Sequence, residues 1–145
     1  FDDIQKYVVD AGKAAGAGDQ IGTVLYNRGL YAAMLAAEAA RTAQDIHGEA
    51  EITPAMMRDG MEALEITEEK LTSLGLGGFM PTFTVTCENH GPPGLGAIQQ
   101  WDASSQTWSL VSDYIEADRS VVDPLIAEDA AAFAAENNIT PRTCE

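Results

Sequence analysis

Gly22–Arg41 reads GTVLYNRGLYAAMLAAEAAR, and the reading of this stretch decides how the rest of the chain is understood. From Leu30 to Ala37 every position is apolar, and charged residues stand only toward the two ends. A helix apolar on all sides must be covered on all sides. Its alanines let neighbouring backbones come close. At its front lies Tyr26-Asn27-Arg28-Gly29, a polar and aromatic cluster. The expectation is a buried helix that carries a hydrogen-bonding set at its N-terminal end, with the other segments as its cover.

The segments around it are read from their punctuation. Upstream, Asp2–Ala15 has Ile4, Tyr7, Val8 and Ala11 at helical spacing, which predicts an amphipathic helix ended by the loop Gly16-Ala17-Gly18-Asp19. That Gly-rich loop follows a helix rather than a strand and has no Gly-Lys-Ser/Thr sequence, so it does not read as a phosphate cradle. Downstream, the central helix runs to about Ile46, with His47-Gly48 as its stop and His47 satisfying the last carbonyls. Thr53-Pro54 opens the next helix as N-cap and first-turn proline, with Met56, Met57, Met61 and Leu64 as its apolar stripe. Thr67-Glu68-Glu69 starts a third, short helix that ends at Leu74-Gly75.

From Leu76 the character changes. Leu76–Pro81 is a turn, and Thr82–Cys87 alternates as a strand does. Glu88–Gly96 reads as a loop. Ala97–Asp102 and Thr107–Tyr114 read as a hairpin across Ala103–Gln106, with Trp101 and Trp108 flanking the turn. Asp123 as cap and Pro124 in the first turn predict a last helix over Pro124–Glu136, stopped by Asn137-Asn138.

Composition narrows the function classes. A chain of 145 residues with 46% hydrophobic residues can form a core. Its 8 basic and 23 acidic residues give a net charge of -15, which excludes nucleic acid as a partner and disfavours an anionic membrane surface. No apolar run reaches the roughly 18–20 residues of a membrane span. The chain opens on Phe1 rather than Met, so an upstream segment is expected to have been removed, a signal peptide among the candidates. Cys87 and Cys144 are either two unrelated thiols or a bridge closing a loop of about 57 residues, worth roughly 4 kcal/mol in the chain-entropy model and implying an oxidising compartment.

Catalytic chemistry finds little support. Cys87-Glu88-Asn89-His90 offers two metal ligands where structural zinc wants four, and His47 lies elsewhere. The carboxylates show no pair set apart as acid and base, and there is no Gly-x-Ser-x-Gly elbow. The expectation is a non-enzyme without metal or cofactor.

Taken in order, VLYNRGLYAAMLAAEAARTAQ, TPAMMRDGMEAL, the Gly-Gly-Phe-Met-Pro turn, FTVTCENHG and IQQWDASSQTWSLVSDY resemble the C-terminal part of substrate-binding proteins of branched-chain amino acid-type ABC transporters. Pro141-Arg142-Thr143-Cys144 resembles the ending of a subgroup that also has a Cys in the strand of Cys87. The resemblance implies an α/β class and the C-terminal portion of a type 1 periplasmic-binding fold. Residues 1–90 would be the last part of the first lobe, and residues 91–145 the crossing, hairpin, final helix and tail toward the second. It implies a periplasmic component of an importer, holding a small organic solute between two lobes and docking on a cognate ABC permease. Tyr26, Asn27 and Arg28 would contact the solute, Arg28 by pairing with a carboxylate and Tyr26 by stacking. Phe79 and Met80 would edge the cleft, and Gly91–Gly96 would hold the crossing. Members of that family are more than twice as long, so the upstream part of the same protein is an implied partner. The uncovered hairpin edge makes self-association a further expectation. The alternative is a ligand-binding sensor or interaction module of a receptor.

Overall fold

The computed structural model describes residues 5–13, 18–91 and 94–144. It is a mixed helical and antiparallel-sheet structure, as the α/β class requires. The chain divides into two compact units, Phe1–Leu64 and Glu65–Glu145. These are packing units, a different kind of division from an assignment of residues 1–90 and 91–145 to the lobes of a larger whole.

The first unit is built on α1, Val24–His47, and α2, Pro54–Glu62. Thr23 caps α1 in extended conformation and accepts a hydrogen bond from the Tyr26 amide. Gly48 closes it with φ of 68°, a left-handed conformation that glycine takes without steric cost, and donates to the Gln44 carbonyl. Thr53 and Pro54 open α2 as their residue types dictate.

The close approach of α1 to α2 runs through small residues. Gly60 is buried, and so are Ala39 and Ala43, one helical turn apart on α1. A Cβ on Gly60 would run into the Ala39 carbonyl oxygen and would meet Ala43 Cβ and N at 2.7 Å. His47 does not cap carbonyls. Its Nε2 lies 3.2 Å from Asp59 Oδ2 of α2, and Arg58 donates to Asp59 Oδ1 at 2.9 Å. The hydrogen bond from Arg58, with His47 adding to it, holds the Asp59 carboxyl below its ordinary value.

The uniformly covered central helix is not what forms. Within α1 the buried residues are Glu38, Ala39 and Ala43, while Val24 and Leu25 are 75% and 77% exposed. The expectation fails because alanine favours a helix by its backbone preference and does not demand burial. One neighbour, α2, is enough to cover the face that carries Ala39 and Ala43. The methionine stripe of α2 is likewise partial: Met56 and Met57 are half-buried and Met61 is exposed. Upstream, the described part of the predicted Asp2–Ala15 helix is a single π turn, Gln5–Val9, with no buried residue and with Tyr7 exposed. An isolated short helix has little stability of its own without a covered face. Residues 2–4 and 14–17 lie outside the described residues, including Gly16 and Ala17, the first half of the Gly16–Asp19 loop.

The second unit contains three two-stranded antiparallel sheets among its described residues. β1, Glu65–Ile66, pairs with β2, Phe83–Thr84, on either side of α3, Glu68–Ser73. Thr67 caps α3, and Gly75 turns the chain out of it with φ of 72°. Pro81, Phe83, Val85 and Cys87 are half-buried while Thr82, Thr84 and Thr86 are exposed, so the predicted alternation is present even though ladder pairing is confined to β2. Ile66 and Leu71 are the largest fully buried side chains.

β3, Leu95–Gly96, falls where a loop is predicted and pairs with β6, Ile115–Glu116. Between them β4, Gln99–Asp102, and β5, Thr107–Leu110, form the expected hairpin, shorter than read from sequence. Trp101 faces Trp108 across the ladder, with ring centroids 5.4 Å apart and planes tilted by 53°. Asp102 ties the turn down: its Oδ1 accepts from Ser104 N at 2.8 Å and Ser104 Oγ at 2.6 Å.

The last helix, α4, spans Arg119–Glu136 and not Pro124–Glu136. Asp118 is its cap, accepting from Ser120 N at 3.0 Å and Ser120 Oγ at 2.6 Å. Pro124 therefore sits inside the helix, where it offers no N–H to the Ser120 carbonyl. Arg119 pairs with Asp123 at helical spacing and supports this earlier start. The predicted end holds: Asn137 is the C-cap, and its side chain donates to the Phe133 carbonyl. No helix among the described residues is long and apolar enough to cross a membrane.

Candidate functional site

Tyr26, Asn27 and Arg28 occupy the first turns of α1. The turn is fixed by Thr23, whose hydroxyl donates to the Gln20 carbonyl at 2.8 Å and accepts from the Tyr26 amide at 3.4 Å. Gly22, with φ of 84°, lets the chain turn into that cap. Asn27 donates through Nδ2 to the Gly22 carbonyl at 3.3 Å, and its Oδ1 is buried without a protein hydrogen-bond partner. Tyr26 is half-buried and Arg28 is exposed. One turn on, Tyr31 is half-buried, and burial raises its phenol above the ordinary value. The trio thus divides into a packed amide, a partly packed ring and a solvated guanidinium.

Phe79 and Met80 belong to the second unit. They are half-buried in the turn before β2, where the Phe79 amide donates to the Leu76 carbonyl at 2.9 Å and Gly78 takes φ of 71°. The two groups of predicted contact residues therefore lie in different units. Two open clefts in the second unit are lined by neither group. One, of about 260 Å³, runs along β1 and β2 with Glu65, Glu68 and Phe83 in its wall, and the other, of about 610 Å³, lies over Leu110–Tyr114. Sequence reading missed both, the first because it depends on the pairing of two very short strands.

Cys87 and Cys144 are joined in a disulfide, with Cα atoms 5.7 Å apart. The bridge settles the alternative left open by the cysteine count. It also commits the Cys87 sulfur, so the Cys-x-x-His spacing to His90 supplies neither a thiolate ligand nor a nucleophile. No cluster of metal-ligating side chains occurs among the described residues.

No protein-family model and no curated protein matches the chain. A solved structure does: a crystal structure described as that of an ABC transporter permease from the Pseudomonas fluorescens group. It superposes with a TM-score of 0.82 at 39% identity, over 97% of this chain and 34% of that one. The chain therefore spans about a third of the length of the protein it matches. The finding overturns the expected assignment to the solute-binding proteins. The protein that shares this architecture is described as a permease, not as a binding component, and the periplasmic-binding fold is not supported by it. The physical reason is that the ordered motifs encode caps, turns and a hairpin, and such a framework does not specify the role of the protein that contains it.

Proposed function

We propose that this chain works within an ABC transport system, as part of the transporter machinery. The observation that carries the reading is the 39% identity to the ABC transporter permease structure, sustained over 97% of the chain at a TM-score of 0.82. Identity at that level over nearly every element exceeds a likeness of fold alone. The Cys87–Cys144 bridge supports an extracytoplasmic, oxidising setting for the second unit. The reading assigns no covalent chemistry to the chain.

The test is genetic and biochemical. Disrupting the encoding gene should abolish movement of at least one solute in a comparative uptake and export panel, and the intact gene should restore it. The protein purified from its native host should bring with it an ATPase of the ABC type. Unchanged transport across the panel, together with no such ATPase, would overturn the reading.

A further inference from the structure

The second unit has more apolar surface than it can cover. No described residue of α4 is buried. Val121, Leu125, Ile126 and Phe133 lie within an arc of about 140° on that helix, and each is 56–60% exposed. Asp129 lies inside the same arc, between Leu125 and Phe133, so this face is apolar on either side of one carboxylate. The sheets are incomplete. β4–β5 has every position exposed, both tryptophans among them, and each sheet of the unit has two strands among the described residues. An isolated two-stranded sheet is marginal in water and offers open edges to another strand.

We infer that the α4 stripe and the hairpin of the second unit are a docking surface for a polypeptide equivalent to the part of the solved relative that this chain does not match. The matched region is 34% of that relative, so a polypeptide about twice the length of this chain remains in it to supply the missing layer and strands. The occupant must bring an apolar face against Leu125 and Phe133 and a free strand edge against the hairpin. A second copy of this chain fits worse. Each copy carries a net charge of -15, so pairing two copies opposes like charge to like charge. The inference rests on the exposed faces and the likeness of fold, not on the transport role.

The experiment co-expresses the 145-residue chain with the tagged, unmatched two-thirds of the solved relative. We expect a 1:1 complex by light scattering after size exclusion, with amide exchange in α4 and β5 slowed at least tenfold relative to the chain alone. Leu125→Asp and Phe133→Asp should each cut recovery of the complex at least tenfold. Ala127→Asp, which adds the same charge on the far side of α4, should leave it intact. Phe133→Ser repeats the test without adding charge, and far-UV circular dichroism of each isolated variant checks that α4 persists. Absence of a complex, indifference of the complex to the stripe substitutions, or a stable homodimer whose exchange protection falls on α4 would each overturn the inference. None of these readouts measures transport, so a failure here is separable from a failure of the functional reading.

Discussion

Replacing Gly60 by alanine tests the α1–α2 contact directly. In an open helix the substitution is favourable: alanine is about 1 kcal/mol better than glycine in a helix interior. At position 60 the added methyl would collide with the Ala39 carbonyl oxygen and lie 2.7 Å from Ala43 Cβ and N. Two of these three atoms are backbone and cannot rotate aside, so the helices must separate. Overpacking of this kind costs about 1–3 kcal/mol, and the rigid obstacle puts this case near the upper end. Subtracting the gain in helix preference leaves a net loss of about 2 kcal/mol. For a unit of this size each kcal/mol moves the midpoint by about 4–8 °C, so a fall of roughly 8–16 °C is expected. The assay is thermal unfolding followed at 222 nm, with urea titration as a second probe. Gly29 is the control. A Cβ there meets nothing within 4 Å, so Gly29→Ala should stabilise by about 0.5–1 kcal/mol. Ala43→Gly should rescue Gly60→Ala only in part, because the Ala39 carbonyl stays in place. Should Gly60→Ala match or exceed the wild type, the close approach of α1 and α2 is wrong.

Three further outcomes are expected. Pro124→Ala restores a donor to the Ser120 carbonyl, so it should raise the helical signal and stabilise α4 by about 2 kcal/mol, read as slower amide exchange near residue 124. Cys87→Ser with Cys144→Ser, or reduction of the bridge, should cost about 4 kcal/mol from the loop of 57 residues it closes, and the shift of the urea midpoint should vanish when reductant is added to both proteins. The Asp102 carboxyl is held down at about 2, first by the Ser104 hydroxyl and then by the Ser104 amide and Ser105. A depressed carboxylate contributes stability that is present above its unfolded value and is lost as pH falls through the folded one. The Ser104 amide resonance should titrate with a midpoint near pH 2, and Asp102→Asn should abolish that titration.

The interactions that the residues decide alone are short in range. Thr23, Thr53 and Thr67 cap helices because a hydroxyl reaches an amide three residues on, and Gly48 and Gly75 end helices because they adopt positive φ. The Trp101–Trp108 hairpin and the stop at Asn137 follow from equally local preferences. Sequence reading placed the cap of the last helix at Asp123, beside the proline, and the helix starts earlier, capped by Asp118. Burial and pairing needed the tertiary structure. An alanine-rich stretch is compatible with a covered helix or an open one, and only the position of Gly60 shows which face of α1 is covered. Strands of two residues such as β1 and β3 carry no alternation to read, so their partners become known only in space. Two cysteines 57 residues apart become a bridge only when the fold brings their backbones within reach.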